Sequence, residues 1–354
     1  MSKYFVFTSY IFRKSRLTEL RSLCTFKILD NFNNVFIIEA GRGLVEKAKE
    51  ANLIFIYSIF EVCDAIELSS EGYLYEIESS VNKLAIDVDV PMKYECYDVN
   101  SKRGYSAKDV EVMVGSRLEN EGIKINMEKP AAIAYSVLIN MKCYSGYSLV
   151  EGLMKPFLNP ERHYLKAYSG ISRAELKLHE ALDEFDIGGK RGMAIDMGAA
   201  PGGWSKVLYD EGFKVLAIDP ADLNYRKLGE RGVAVKEAIE GIDAGETLLK
   251  SENPIILHIK SGTTKLHSLG IPGKACIVVN DMNIEAAESA RSVLELKDCF
   301  AKDCLLIMTV KCITKNADKY LSITKRILEG DFKIQFCRVL PSNRQEITLF
   351  ARRI

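Results

Sequence analysis

The stretch Asp196-Met197-Gly198-Ala199-Ala200-Pro201-Gly202-Gly203-Trp204 is where residue types and spacing point most directly to chemistry. It ends an apolar run, Met193 to Met197, and leads into a helix-forming run, Trp204 to Glu211. Small residues let a backbone pass close to a ligand. A strand that turns sharply into a helix is where Rossmann-like folds hold nucleotides. The spacing is not the Gly-x-Gly-x-x-Gly dinucleotide fingerprint, and no Lys-Ser/Thr of a phosphate loop follows. A nicotinamide-dependent dehydrogenase is therefore excluded. Asp219 ends the next apolar run, Lys214 to Ile218, where an acid is expected to take ribose hydroxyls. A glycine-rich turn and a ribose acid without a pyrophosphate signature point to S-adenosylmethionine. Trp204 is the only tryptophan; its first reading is packing of the helix on the sheet, and its second is a cofactor contact.

Just upstream stands Ser172-Arg173-Ala174-Glu175-Leu176-Lys177-Leu178. Together with Asp-x-Gly-Ala-x-Pro-Gly-Gly-Trp it resembles the FtsJ-like ribose 2′-O-methyltransferases, over roughly residues 165 to 354. The resemblance implies a catalytic Lys-Asp-Lys-Glu tetrad, matched here by Lys177, Asp281, Lys311 and Glu346. It implies cofactor contacts from Ser172, Asp196, Gly198 and the backbone at Ala200, Pro201, Gly202 and Gly203, with Asp281 near the sulfonium. The family also places an acid after its third strand against adenine. Here the stretch Val233 to Gly241 offers Glu240 or Glu237 instead, and a long insertion precedes Asp281. Within that insertion Ile255 to Lys260 is strand-like and reads as a third strand in its own right.

The residues before the catalytic region carry a looser resemblance. Tyr94-Glu95-Cys96-Tyr97-Asp98, a helix from Ser106 to Gly122, and Cys143-Tyr144-Ser145-Gly146-Tyr147-Ser148 resemble a THUMP domain. That arrangement implies RNA as partner and a cytidine ribose of large-subunit (23S) ribosomal RNA as target. THUMP domains also accompany tRNA-modifying enzymes, so another RNA stays open, as does binding without catalysis.

The tetrad makes chemical sense. A ribose 2′-hydroxyl is a poor nucleophile until its proton is removed, so the site must supply in-line geometry and a base. The sulfonium methyl is already activated, and no metal is needed. A lysine is a base only when its pKa is lowered, which burial and a neighbouring cation both favour. Lys311 is the expected base, with Lys177 as that cation. Asp281 is expected to orient Lys311, while Lys177 and Glu346 hold the tetrad and the ribose.

The elements that must position these groups read as α/β. A helix over 172–185 precedes strands at Met193 to Met197, Lys214 to Ile218, Ala275 to Asn280, Cys304 to Val310, Phe332 to Val339 and Glu346 to Ala351, with helices over 284–300 and 316–329. Alternation of this kind predicts a doubly wound, mostly parallel, Rossmann-like sheet. The last two strands have no helix between them and predict an antiparallel hairpin. Upstream, short strands and helices predict a small α+β domain over 1–60 and a THUMP-like domain over 61–150. A basic linker over 151–170 contains Lys155, Arg162, His163 and Lys166. Such a connector suits either solvent or a phosphate backbone. The catalytic domain is expected over 171–354.

Composition sets the outer bounds. Hydrophobic residues make up 47% and charged residues 27% of the 354, which excludes disordered, collagen-like and coiled-coil chains. Lys+Arg and Asp+Glu are both 48, so no global field draws in RNA; a local basic face near Arg338, Arg344, Arg352 and Arg353 is expected, balanced by acids such as Asp183, Glu184, Glu285 and Glu288. No apolar run reaches the roughly 18 residues of a membrane span, and Tyr4 to Phe12 reads as a strand, not a signal peptide. The nine cysteines and four histidines are scattered without a Cys-x-x-Cys pair, which predicts reduced thiols, no metal cage and a cytoplasmic protein.

Overall fold

The computed structural model describes residues 1–69, 73–99, 104–238, 248, 250–262, 271, 274–314 and 316–354. They form two compact units, Met1–His163 and Tyr164–Ile354.

The first unit holds two four-stranded sheets. One has the order β2-β3-β1-β4, from β1 (Ser2–Thr8), β2 (Phe26–Phe32), β3 (Val35–Ala40) and β4 (Ile56–Val62), all antiparallel. Helices α1 (Arg13–Leu23) and α2 (Leu44–Glu50) accompany it. The other has the order β5-β8-β7-β6, from β5 (Asp64–Glu67), β6 (Met92–Asp98), β7 (Ala132–Ile139) and β8 (Lys142–Leu149). Helices α3 (Tyr73–Val81) and α4 (Ala107–Asn120) belong to this half. Ser106 caps α4 in a reciprocal capping box with Asp109, and Val110, Val114 and Leu118 are buried, as the helical period predicts.

Two expected boundaries change. The division at residue 60 falls inside β4, and the faces of the two sheets share one core containing Phe5, Phe7, Phe60, Ile133, Tyr135 and Val137. Nor is 151–170 a plain linker. Phe157 and Leu158 are buried, the Leu158 N–H donates to the Glu95 carboxylate at 2.6 Å, and Arg162 donates to both Glu111 oxygens at 2.6 and 2.8 Å. That bidentate pair commits Arg162 to Glu111 rather than to a phosphate. A short helix, α5 (Pro160–Tyr164), ends the segment.

The second unit is an eight-stranded sheet of order β11-β12-β10-β9-β13-β14-β16-β15. Its strands are β9 (Met193–Met197), β10 (Lys214–Ile218), β11 (Val235–Ala238), β12 (Ile256–Ile259), β13 (Ala275–Asn280), β14 (Phe300–Lys311), β15 (Phe332–Arg338) and β16 (Glu346–Arg353). The six from β11 to β14 in that order are parallel, and β16 runs antiparallel to both β14 and β15. Helices α6 (Ala174–Glu184), α7 (Gly203–Asp210), α8 (Tyr225–Glu230), α9 (Ala286–Glu295) and α10 (Ala317–Leu328) accompany it. Parallel strands covered on both faces are apolar throughout, and β9 is fully buried. The chain winds outward from β9 through β10, then returns to β13 on the other side. The carboxyl ends of β9 and β13 therefore form the switch point where such sheets bind ligands.

Candidate active site

The switch point gathers the four residues of the expected tetrad. Asp281 follows β13, and its N–H donates to the Met197 carbonyl at 3.1 Å, next to the glycine-rich turn. Lys311 is the last residue of β14 and Glu346 the first of β16. Antiparallel pairing sets them opposite each other, Lys311↔Glu346. Lys177 comes from the middle of α6. Its Nζ lies 3.1 Å from Asp281 and 2.5 Å from Glu346. Lys311 Nζ lies 2.7 Å from Asp281 and 3.2 Å from Glu346. Each ammonium thus touches both carboxylates in a nearly closed, charge-balanced quartet.

The same contacts set the charge states. Burial pushes the Asp281 carboxyl up, but Lys177 and Lys311 outweigh it and hold it below its ordinary value. Burial pulls Lys177 down, but Asp281 and Glu346 outweigh it and raise its pKa. Lys177 is therefore not the bare cation expected beside Lys311. Its charge is answered by two carboxylates.

Several residues that sequence reasoning did not single out hold the quartet. Thr309, two residues before Lys311 on the same face of β14, donates its hydroxyl to Asp281 Oδ1 at 2.7 Å. On α6, the buried Glu175 accepts the N–H groups of Ser169 and Ser172 at 2.8 and 2.6 Å. The buried Glu180 accepts from Ser342 N–H and hydroxyl at 3.0 and 2.6 Å. These two acids fix the loops that enter α6 and β16.

The glycine-rich turn adjoins the quartet. Gly198 has φ +79°, and a Cβ there would sit 2.9 Å from the Met282 backbone. Gly202 is left-handed at φ 109° and opens α7, while a Cβ on Gly203 would strike the Ser172 hydroxyl. Asp219 ties two loops together: it accepts the Ala200 N–H at 3.0 Å and the Ala221 N–H at 2.8 Å. Asp196 is fully buried behind the turn. Its Oδ2 accepts the Ser205 hydroxyl at 2.6 Å, and its Oδ1 has no partner among the described residues. Burial pushes its carboxyl up to about 7, against the pull of Ser205.

A cavity of about 310 Å³ opens beside this turn, lined by Gly198, Asp219, Pro220, Ser261, Gly262 and Met282 among others. Its size and its mixed apolar and acidic lining fit an adenosyl ligand. Met282 adjoins Asp281, so the cavity meets the quartet at that junction. Of the expected cofactor residues, Gly198 and Asp219 line the cavity. Ala200, Pro201 and Gly202 shape the turn, Ser172 and Gly203 pack on each other, and Asp196 stays behind. Trp204 takes its packing role, 3% exposed with its indole N–H on the Ala174 carbonyl at 2.7 Å.

The strand order bears on the expected adenine contact. β12, not β11, pairs with β10, so Ile255 to Lys260 contains the true third strand, and the cavity residues that follow it are Ser261 and Gly262. Glu237 sits on the outer strand β11, exposed, 3.3 Å from Lys260 and 3.4 Å from Tyr225. Glu240 lies outside the described residues. Beneath the Asp219 loop, the buried His258 has Nε2 3.0 Å from the Asp219 carbonyl and Nδ1 2.6 Å from the Tyr225 hydroxyl. A carbonyl only accepts, so Nε2 carries a proton.

The expected basic face is also partly spent. Arg338 pairs with Glu184 at 2.7 Å, and Arg353 donates to the Phe300 carbonyl. Among the described residues no His, Cys, Asp and Glu cluster suits a metal, and the nine cysteines are free thiols. No described helix is long and apolar enough to cross a membrane.

The FtsJ-like methyltransferase family matches residues 171–328. Ribosomal RNA large subunit methyltransferase M of Marinomonas sp. (strain MWYL1) is 27% identical over 223 residues, 60% of this chain and 62% of that protein. Its counterpart in Salmonella agona (strain SL483) is 28% identical over 194 residues, 51% of this chain and 52% of that protein. The matched region thus spans between half and two thirds of these relatives. Among solved structures, TrmN from Thermus thermophilus covers 99% of this chain and 100% of its own at 14% identity and a TM-score of 0.41. The segment that matches the FtsJ-like family lies within the second unit of the chain.

Proposed function

We propose that the chain transfers the methyl group of S-adenosylmethionine to a ribose 2′-hydroxyl of RNA, with a 23S ribosomal RNA cytidine as target. The observation that carries this reading is the quartet: Lys177, Asp281, Lys311 and Glu346, joined by contacts of 2.5 to 3.2 Å, beside a nucleoside-sized cavity. When bound, the cofactor supplies a methyl already activated on sulfonium sulfur. The residues do the rest. Asp219 meets the ribose of the cofactor, and Gly198 lets the backbone approach. Lys311, after its ammonium gives one proton to solvent, takes the 2′-hydroxyl proton while the oxygen forms its bond to the methyl carbon and the carbon–sulfur bond breaks. Asp281 orients Lys311, and Lys177 with Glu346 holds the acceptor ribose. The first unit, THUMP-like in its 61–150 part, grips RNA through shape and backbone. Free thiols and an RNA target suit the cytoplasm.

The test is transfer of tritium from labelled S-adenosylmethionine to protein-free ribosomal RNA and to tRNA, run separately and followed by nucleoside analysis. A 2′-O-methyl nucleoside from large-subunit RNA supports the proposal. Label in tRNA keeps the chemistry and moves the target. Cofactor binding without label on any RNA counts against catalysis. Lys311→Ala should abolish transfer and leave cofactor affinity nearly unchanged; joint loss of both would make Lys311 structural.

A further inference from the structure

Exposed side chains stand a few residues from three members of the quartet. Arg173 stands four residues before Lys177, at the start of α6, and is exposed. Ile313 stands two residues after Lys311 and is 69% exposed. Arg344 stands two residues before Glu346, is exposed, and its N–H donates to Glu346 Oε1 at 3.5 Å. The Cys312 N–H donates to the Gln345 carbonyl at 2.8 Å, which carries the pairing of β14 and β16 one step past Lys311↔Glu346. Ile313 and Arg344 are therefore the next residues on facing segments.

Some arginines of this protein are already committed. Arg162, Arg226 and Arg338 each pair with a carboxylate. The guanidinium groups of Arg173 and Arg344 pair with none of the described residues, and the large aliphatic side chain of Ile313 lies open to water. The quartet has two ammonium groups and two carboxylates, and the whole chain has zero net charge. Neither attracts a phosphodiester, so the cations that do so must be local.

We propose that Arg173, Ile313 and Arg344 form the acceptor-nucleotide site. Ile313 packs against the base of the nucleotide being methylated, and the two guanidinium groups take the phosphates on either side of its ribose. A base can meet an aliphatic side chain in this way only when it is unstacked, so the acceptor lies in single-stranded or looped RNA. The proposal rests on the reading of the quartet as an RNA methylation centre.

The test uses the full chain and four variants: Arg173→Gln, Arg344→Gln, Ile313→Ser and Ile313→Phe. Initial rates on ribosomal RNA are measured across a salt series, with cofactor affinity by calorimetry and Lys311→Ala alongside. Each arginine variant should raise KM for RNA about tenfold and flatten the dependence of log KM on log salt by about 0.7, the value for one lost contact to a single strand. Ile313→Ser should raise KM without changing the salt slope, and Ile313→Phe, which keeps a stacking surface, should restore it. Cofactor affinity should be unchanged throughout. Wild-type KM and salt slope in all four variants, with Lys311→Ala inactive, overturn the proposal and leave the quartet standing. An active Lys311→Ala overturns the reading beneath it.

Discussion

Asp281 binds the site together, because one of its oxygens serves three donors. Lys311 at 2.7 Å, Thr309 at 2.7 Å and Lys177 at 3.4 Å all reach Oδ1. Only the Thr309 hydroxyl can be deleted without changing charge or shape. Thr309→Val should lower kcat about tenfold, with cofactor affinity unchanged, and Thr309→Ser should recover most of it. A Val variant with full kcat would show that the lysines alone orient Asp281. Asp196 makes a different prediction. Burial pushes its carboxyl to about 7, whereas the unfolded chain titrates near 4. Between those values the folded state holds the extra proton, so stability falls as pH rises, by an order of a few kcal/mol. Asp196→Asn should remove that slope in urea melts and leave the variant the more stable protein above pH ~7. Parallel slopes would mean that Asp196 is already ionised in the fold. The four quartet residues were legible because their types and spacings match a known pattern. Thr309, Glu175, Glu180 and His258 were not. A hydroxyl or a carboxylate that serves one partner leaves no pattern in a single sequence, and its role appears only when strand ends and loops meet.

Elements explain why the quartet assembles at all. β14 alternates its side chains, so Thr309 and Lys311 share a face, and the reversed direction of β16 brings its first residue to the end of β14. The turn after β9 depends on Gly198. Its left-handed backbone and the nearby Met282 backbone leave no room for a methyl group. Gly198→Ala should cost roughly 1–3 kcal/mol of stability and weaken cofactor binding by at least tenfold; an unchanged melt with normal binding would contradict that reading. The inner strands of this sheet were legible as apolar runs. β11 was not, being four residues with Lys236 and Glu237 exposed at the edge. In the first unit α1 and β2 were also missed. The helix buries only Arg16 and Leu20, and the strand is only partly covered, so neither shows a clear period. The segment 151–163 misled for the opposite reason. Its Pro and charged residues suggest solvent, yet Phe157, Leu158 and Arg162 are held by partners distant in sequence.

At the scale of the molecule, each unit has its own core and sheets. Residues 164–354 expressed alone should keep the cofactor affinity of the full chain and lose most RNA affinity, measured by calorimetry and filter binding. Equal losses of both would mean that the first unit chiefly supports the catalytic fold. The sequence predicted a division of labour with boundaries set by motif and composition, while the structure divides the chain by shared packing across two sheets. The solitary indole of Trp204 has a practical corollary. Among 354 residues it is the one tryptophan, and it is sealed beside the glycine-rich turn of the second unit. Its emission is a built-in gauge of that unit alone. Unfolding of the first unit will be silent to it while circular dichroism reports both, so two spectra on one sample suffice to tell whether the halves melt in concert or in sequence.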